Sequence, residues 1–349
     1  MKNKLLSIGI LVFASLFLFS CQSKTEKKVT EEVVAEDNSV LAKLDALNSN
    51  IINNPENPDF YQERALFYLE QEEFNQAFKD IASAIEIDST ISKYHVTLSD
   101  AYLGLGKLQK TIQSLEKAIA LDSENTEAYL KMAEMSLVVR DYKKTLAYID
   151  KALQIDELES KGYLLRGVVM LENGDTLRGV RNFQQAIDVN QDYFEAHLQL
   201  GILYADKKSD LAIDYFNNAL NIMPGNIDVM YFLAMYYQET EKFEKALQTY
   251  NSMLDIDPAF FIAFYNIGYI NLVHNNDFPE AIEYFTKAIE LKPDYAEAYY
   301  NRGFAYELLI DVDNSRKDYQ KTLELHPNYE LAIDGLNRID AYLIENSQK

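Results

Sequence analysis

The chain has 349 residues, and its hydrophobic content of 48% is that of a folded protein rather than of a disordered segment. With only 12 glycines and 7 prolines, the composition favours helices over a sheet with many turns. The 55 acidic residues outnumber the 33 Lys and Arg, and the formal charge of −22 argues against a basic surface for nucleic acid or anionic lipid.

The N-terminal residues have the pattern of a secretory signal peptide. Lys2 and Lys4 precede an apolar run of 15 residues, Leu5 to Phe19. A membrane-spanning helix needs roughly 20 apolar residues, so this run is short for a span and fits the hydrophobic region of a signal peptide. We predict a signal peptide over residues 1–20.

The one cysteine of the chain follows this segment directly. The residues Leu18-Phe19-Ser20-Cys21 resemble the lipobox of bacterial lipoproteins, which are cleaved before a cysteine that then carries the lipid. The resemblance implies that Cys21 is the lipidated N-terminus of the mature chain, and several acyl chains give durable membrane attachment. The alternative is an ordinary signal peptide or an uncleaved anchor with an incidental cysteine.

Two segments follow before the main body of the chain. Residues 21–38 are polar and charged and lack helical apolar spacing, so we predict a flexible tether. Residues 39–57 contain a helical pattern that ends at Pro55, typical of the second helix of an incomplete repeat. We expect this helix to cap the N-terminal end of the body.

The body, residues 58–329, repeats itself with a period of about 34 residues. Its eight copies begin at Pro58, Ser92, Thr126, Ser160, Phe194, Ile227, Phe261 and Ala296. The eighth and twentieth positions of every copy are small, as Ala65 and Ala77 are in the first. Each copy holds two helical periods around a short polar turn. Small residues let two antiparallel helices approach closely, and one pair cannot bury its apolar face alone, so the copies must stack.

This pattern resembles the tetratricopeptide repeat (TPR) family. The resemblance implies an all-α fold, a right-handed α-solenoid of about eight helix-turn-helix repeats with an N-terminal half-repeat. The fifth copy is one residue short in its turn and the seventh is one longer, at 274–279, and turns tolerate both changes. Residues 330–349 are predicted to form a C-terminal capping helix and a tail.

No catalytic constellation occurs in the sequence. His95 and His197 occupy an aromatic packing position of their copies, His274 lies in a turn, and His326 precedes a proline. The histidines have no metal-ligand spacing, and neither a glycine-rich phosphate loop nor a G-x-S-x-G motif is present. We predict a protein that is not an enzyme, with no cofactor, no metal and no small-molecule substrate.

The family resemblance implies a concave groove lined by the first helix of each repeat, at positions 2, 5, 6, 9, 12 and 13. In the last three copies, positions 5, 6 and 9 are Tyr231, Phe232, Met235, Tyr265, Asn266, Tyr269, Tyr300, Asn301 and Phe304. Positions 5 and 9 share a helix face, so we expect an exposed aromatic patch that binds a partner segment or helix, with asparagines that bond its backbone. The alternatives are packing within the molecule, or occupation by the chain's own capping helix or tether.

Some members of the family bind an acidic C-terminus through lysine and arginine at positions 2, 5 and 6. Only Lys93, Lys131 and Lys161 occupy those positions here, and none stands beside a matching asparagine. We therefore predict that this chain has no carboxylate clamp.

These features together predict a non-catalytic interaction scaffold for protein partners, anchored through Cys21 to the membrane of a bacterial cell envelope. We expect it to face the periplasm, with surface exposure as the alternative. A second interpretation is a self-assembling structural protein whose aromatic groove is a homo-oligomer seam. The acidic surface either keeps the chain soluble or attracts a basic partner.

Overall fold

The computed structural model describes residues 31–347, and every regular element in that range is a helix. The chain divides into two compact units, Met1–Ala196 and His197–Lys349. The helices before the junction are α1 (Glu31–Asn53), α2 (Pro58–Glu70), α3 (Phe74–Ile87), α4 (Ser92–Gly104), α5 (Leu108–Leu121), α6 (Thr126–Val138), α7 (Tyr142–Ile155), α8 (Ser160–Glu172) and α9 (Thr176–Val189). The helices from the junction onward are α10 (Phe194–Asp206), α11 (Leu211–Ile222), α12 (Ile227–Glu239), α13 (Phe243–Ile256), α14 (Phe261–Ile270), α15 (Phe278–Leu291), α16 (Ala296–Leu308), α17 (Val312–Leu325) and α18 (Glu330–Ser347).

The first helix of every repeat begins at the residue that the sequence period predicts. These are the even-numbered helices from α2 to α16, and the odd-numbered helices from α3 to α17 are the second helices of the same repeats. The predicted all-α array of helix pairs is confirmed. Its regularity follows from one set of small and large residues used eight times.

The helices of a pair close tightly over a large ring at the positions predicted to be small. In the first unit, Gly167 of α8 lies against the fully buried ring of Phe183 in α9, and a methyl group on Gly167 would stand 2.5 Å from that ring. In the second unit, Gly201 of α10 has the same relation to Phe216 of α11, at 2.6 Å. Because interiors are close-packed, a larger residue at either glycine would force the helices apart.

An arginine at the seventh position fastens the two helices of the first and last repeats. Arg64 of α2 donates two hydrogen bonds to Asp80 of α3, at 2.6 and 2.7 Å. Arg302 of α16 donates likewise to Asp318 of α17, at 2.7 and 2.8 Å. Both aspartates are buried, and a planar guanidinium matches two carboxylate oxygens well. Arg64 also donates to Asn48 of α1 at 2.7 Å, which fixes the N-terminal helix to the first repeat.

The turn inside each repeat contains one residue in the left-handed conformation. These residues are Glu72, Gly106, Arg140, Gly174, Lys208, Glu241, Asn276 and Ile310. In the seventh repeat a π-helical turn, Asn271–Asn275, extends α14 before Asn276. The extra residue of that repeat, predicted in the turn at 274–279, is therefore accommodated by a wider turn of helix that begins earlier.

The N-terminal helix begins at Glu31, inside the segment 21–38 that was predicted to be a tether. Residues 31–38 were expected to be flexible because they lack apolar spacing, but they belong to α1. A helix that packs further along needs no apolar face in its first turns. The predicted signal peptide at 1–20, Cys21 and the tether up to residue 30 lie outside the described residues.

The last helix closes the second unit. Ala332 and Ile339 of α18 are buried against Tyr319 of α17. Arg338 donates two hydrogen bonds to the carboxylate of Glu307 in α16, at 2.6 and 2.8 Å, and the Tyr319 hydroxyl donates to the same carboxylate at 2.5 Å. Within residues 31–347, none of the helices is long and apolar enough to cross a membrane.

Candidate functional site

The nine predicted groove residues lie on α12, α14 and α16 of the second unit, and none is fully exposed. The half-buried members are Tyr231, Met235, Tyr265, Tyr269, Tyr300 and Phe304. The buried members are Phe232, Asn266 and Asn301. The open aromatic patch expected from the sequence is therefore a row of rings that pack partly on the molecule itself.

Each groove tyrosine at position 5 packs on an aromatic residue directly before the next first helix. The pairs, with their ring-centroid distances, are Tyr231 with Phe260 at 6.4 Å, Tyr265 with Tyr295 at 4.9 Å, and Tyr300 with Tyr329 at 5.2 Å. The second members of these pairs, Phe260, Tyr295 and Tyr329, were not predicted from the sequence. The signal was present, because each of these residues stands two places after the proline that ends a copy.

The rings on α16 form the most extensive contacts of the row. The Tyr300 and Phe304 rings are nearly parallel with centroids 6.4 Å apart, and Tyr300 also lies 5.8 Å from Tyr319 of α17. At the other end of the row, the sulfur of Met235 accepts a hydrogen bond from the buried Tyr250 hydroxyl at 3.3 Å. One side of each residue thus stabilises the fold, and the other side remains accessible.

The two asparagines at position 6 differ in their hydrogen bonding. Asn301 Nδ2 donates to the Tyr265 hydroxyl of the preceding repeat at 2.9 Å. Asn266 stands one repeat earlier, and its buried Nδ2 makes no hydrogen bond of comparable geometry among the described residues. It still lies close to the Tyr231 hydroxyl, since burial raises the pKa of Tyr231 and a hydrogen bond with Asn266 opposes that rise. The Asn266 amide is therefore enclosed beside Tyr231 and is not open to a partner.

Phe232 does not belong to the accessible surface. The sequence placed it beside the groove at position 6, but only 3% of it is exposed. Its ring stacks on Phe216 of α11 with centroids 6.2 Å apart. A large apolar ring at a boundary position turns into the core, where it removes more surface from water. Phe232 is a packing residue.

The nine predicted groove residues carry no charge of their own at neutral pH. Burial raises the pKa of Tyr265 above its usual value, and also the pKa of Tyr300. Both phenols therefore stay protonated across the physiological range. Rings, a thioether, neutral hydroxyls and amides are suited to apolar contact and hydrogen bonding, and they are unsuited to acid–base catalysis.

The three lysines at the clamp positions of the first unit are bound to carboxylates of the preceding repeat. The nitrogen–oxygen distances are 2.7 Å for Lys93 to Asp59, 2.8 Å for Lys131 to Asp100, and 2.5 Å for Lys161 to Glu134. These cations join consecutive repeats to each other. They already have the kind of partner that a terminal carboxylate would supply.

The histidines have structural surroundings. His95 is buried, and its Nε2 lies 3.2 Å from the carbonyl oxygen of Ser89. His197 is also buried, while the His274 ring stacks on Phe243 with centroids 3.7 Å apart. In the part of the chain that the structure describes, no group of His, Cys, Asp and Glu is placed to hold a metal ion.

Comparison with family models matches both units to one repeat family. A model described as TPR repeat matches residues 271–309, and models described as tetratricopeptide repeat match 92–125, 164–227, 203–265 and 297–329. The matched segments together cover more than half of the chain. The chain belongs to the tetratricopeptide repeat family.

Individual relatives support the same family. Human tetratricopeptide repeat protein 6 is 26% identical over 164 residues, which are 46% of this chain and 31% of that protein. The chain thus matches about a third of the length of this curated relative. A TPR chain carries several such segments when it has many repeats, so the match defines the repeat rather than the whole protein.

Solved structures share the fold at low sequence identity. Pseudomonas aeruginosa PilF aligns with a TM-score of 0.50 at 19% identity, over 58% of this chain and 93% of its own. A chain of the Cut9–Hcn1 hetero-tetramer of the APC/C aligns at 0.52 and 14%, over 87% and 59%. Human IFIT1 in complex with m7Gppp-AAAA aligns at 0.54 and 16%, over 82% and 68%. The TPR fold indicates a protein-interaction scaffold, and TPR repeat proteins are generally non-catalytic.

Proposed function

We propose that this chain is a lipid-anchored TPR scaffold of a bacterial cell envelope, and that it holds a segment of a partner protein against α12, α14 and α16. Family membership supports the role of a protein-binding scaffold. The lipobox-like residues that end at Cys21 support the anchor. The proposed orientation is toward the periplasm.

The observation that carries the binding surface is the row of half-buried aromatic residues on α12, α14 and α16, which include Tyr231, Tyr269 and Phe304. Each of these residues keeps part of its side chain in contact with solvent. Apolar side chains of a partner that cover the row would remove this surface from water, which is the main favourable contribution to most protein association.

The groove chemistry defines the class of partner segment. The nine groove residues offer neutral aromatic surface and hydroxyls, and they include no cation for a terminal carboxylate. We therefore propose an extended segment or helix with apolar side chains, whose contacts are hydrogen bonds to the hydroxyls and ring burial. A large aromatic side chain can bury about 150–250 Å² in total, and about a third of that or less remains for the partner here.

The test replaces Tyr269 and Phe304 by alanine. We expect the double variant to lose the partner, because two half-buried side chains of the row no longer offer apolar surface. The partner is captured from native membranes with a photo-crosslinker at Met235 and identified by mass spectrometry. Circular dichroism and thermal unfolding show whether the double variant keeps its fold.

The matched control is Tyr284→Ala on α15. Tyr284 packs with Phe264 and lies outside the row, so its replacement removes a ring of the same kind without changing the groove residues. We expect this variant to retain the partner at the yield of the unmodified chain. The groove proposal is wrong if the Tyr269 and Phe304 double variant retains the crosslinked partner at that same yield.

The anchor is tested separately. In Cys21→Ser, we expect the chain to lose incorporation of labelled palmitate in cells, because the residue that would carry the acyl chains is gone. Equal labelling of Cys21→Ser and the unmodified chain would contradict lipidation at this residue.

Self-assembly through the same row is the alternative function. The observation in its favour is that aromatic rings at one face suit a self-complementary seam. Light scattering of the chain at several concentrations distinguishes the two. A stable dimer that Tyr269→Ala dissociates supports self-assembly, and a monomer that still captures a partner supports the scaffold.

A further inference from the structure

A second surface of interest lies in the first unit, in a cleft between α4 and α5 of the second repeat. The cleft has a volume of about 260 Å³. Leu98 and Tyr102 of α4 supply apolar surface inside it, and Lys110, Gln113 and Lys117 of α5 stand along one side. The lysines are three and four residues from Gln113, so all three side chains leave the same face of α5.

Both lysines of this cleft are exposed and lack a carboxylate partner among the described residues. Lys110 Nζ lies 5.3 Å from the centroid of the Tyr102 ring, a contact that orients the ammonium group at the cleft without neutralising it. This differs from Lys131 and Lys161 of the first helices, which are bound to acids of the chain itself. The two positive charges of the cleft are therefore available to a ligand.

The cleft belongs to a wider basic surface on a strongly acidic protein. The second helices of the first unit, α3, α5, α7 and α9, carry eight Lys and Arg against five Asp and Glu. Two of those acids, Asp80 and Asp150, are already paired with arginines of first helices. The second helices of the second unit carry five basic and nine acidic residues. With a formal charge of −22 for the chain, this local excess of cations is a distinctive feature of the first unit.

The two lysine positions recur in the neighbouring copy. Lys144 and Lys151 of α7 occupy the same two positions of the third repeat as Lys110 and Lys117 do in the second. Residues seven apart on a helix are separated by about 10.5 Å along its axis. An acidic side chain at every seventh position of a partner helix has the same spacing.

We propose that the cleft of the second repeat docks an acidic amphipathic helix of a partner protein. Two partner carboxylates seven residues apart would pair with Lys110 and Lys117, and an apolar partner side chain midway between them would cover Leu98 and Tyr102. A lipid bilayer is flat and reaches only the rims of a concave cleft. A nucleic acid backbone offers phosphates but no apolar side chain for its floor. This surface is independent of the groove on α12, α14 and α16.

The test measures binding of a labelled helical peptide to the full-length chain by fluorescence anisotropy. The probe is built from alanine and glutamine, with two glutamates seven residues apart and two leucines midway between them. Its control peptide has glutamine in place of both glutamates. We expect the acidic probe to bind about tenfold or more tightly than its control, and to weaken as salt is added.

The double variant Lys110→Gln and Lys117→Gln should weaken the acidic probe by about fivefold or more, which follows from two lost exposed ion pairs. The matched control is Lys245→Gln with Lys321→Gln, at the same two repeat positions in the second unit. Lys245 also lies over a tyrosine ring, at 5.5 Å from Tyr237. This control should leave the affinity unchanged.

Several outcomes would overturn the proposal. They are equal binding of the acidic probe and its glutamine control, an unaltered affinity in the Lys110 and Lys117 double variant, or an equal loss in the control variant. Displacement of the probe by anionic phosphatidylglycerol vesicles or by polyadenylate, lost in the same double variant, would show that the ligand is a lipid surface or a nucleic acid instead. Circular dichroism confirms that each variant keeps its helices, since all four lysines are on the surface.

Discussion

The first helices of the two units use the same repeat positions for different chemistry. In the first unit, ion pairs join consecutive repeats, as between Lys131 and Asp100 at 2.8 Å. In the second unit, ring contacts join them, as between Phe232 at the same sixth position and Phe216 of the preceding repeat, at 6.2 Å. Small residues at the eighth and twentieth positions set the backbone geometry in both units. The groove positions are thereby free to vary, and they decide how the links between repeats respond to salt.

The two kinds of link respond differently to their surroundings. The Lys131 and Asp100 side chains are 20% and 26% exposed, so salt still reaches the pair. Desolvation works against the charged form of Lys131, and the attraction of Asp100 outweighs it and raises the pKa of Lys131. The rings of the second unit depend on apolar burial, which salt does not screen. Substitutions can test this comparison. The first ones change a feature that both units share, and the later ones change contacts found in one unit only.

The largest effect is expected where the units agree. Asp80→Ala in the first unit and Asp318→Ala in the second should each cost about 3 kcal/mol of unfolding free energy, because a partly buried arginine loses its carboxylate partner. Urea unfolding followed by circular dichroism measures this cost. The control is Asp150→Ala, whose pair with Arg166 is exposed on the aspartate side and should contribute less than about 1 kcal/mol. A small cost in only one unit would show that the fastening is not shared.

A smaller effect should distinguish the aromatic row of the second unit. Tyr265→Ala should cost about 2 kcal/mol, since a half-buried ring loses contacts with Phe285 and Tyr295. Tyr265→Phe should cost only about 1 kcal/mol, because it keeps the ring and loses the hydrogen bond from Asn301. Hydrogen exchange of α14 and α16 reports the change. Equal costs for the two variants would mean that the ring contacts contribute nothing.

The charged links of the first unit should give about 1 kcal/mol and depend on salt. Lys131→Met removes the pair with Asp100, and the resulting loss in unfolding free energy should shrink as sodium chloride approaches about 1 M. Under the same change of salt, the cost of Tyr265→Ala should stay constant. A salt-independent cost for Lys131→Met would remove the physical basis of the comparison.

The smallest effect concerns pH and two similar carboxylates, one in each unit. Hydrogen bonds from Lys93 and Tyr94 lower the pKa of Asp59, whose ordinary value is 3.8. Burial opposes the shift at Glu307, but hydrogen bonds from Arg338 and Tyr319 lower its pKa from 4.5. Each carboxylate therefore stabilises the fold above its ordinary pKa, and this contribution is lost as the pH falls through the lowered folded value.

The measurement for this effect is unfolding free energy between pH 6 and pH 3, about the range in which carboxylates titrate. Glu307→Gln should flatten the acid-side decline more than Asp59→Asn, because half of the Asp59 side chain is exposed. Identical pH profiles for Glu307→Gln and the unmodified chain would show that the hydrogen bonds to Glu307 add no net stability.

The sequence predicted the fold correctly at positions where a residue type can take only one structural role. The period, the small positions and the prolines placed the start of every first helix at the observed residue, from Pro58 to Ala296. The same reasoning failed where a residue can take two conformations or environments of similar energy. Phe232 could face the groove or the core, and it packs on Phe216. Residues 31–38 could form a flexible tether or a helix, and they form the first part of α1.

Contacts between residues far apart in the sequence were the other part that it did not reveal. The pairing of Tyr265 with Tyr295 joins residues 30 positions apart, and it was missed although both residues are visible in the sequence. The closer contact of Asn301 with Tyr265 than of Asn266 with Tyr231 is invisible in residues of the same type at the same position. Such differences depend on the distances of a few atoms in a neighbouring repeat.

By itself, the sequence determined the helix pairs, their number and their order, since close helix contact requires small side chains at fixed intervals and turns require particular residues. It also fixed the chain's acidity and the segment that ends at Cys21. Only the tertiary structure decided which half-apolar side chains were removed from water, which cations were neutralised and which tyrosine hydroxyl each groove asparagine meets. Those outcomes depend on which residues each side chain contacts across a repeat boundary. Burial and hydrogen bonding are set by both contacting residues and not by one residue alone.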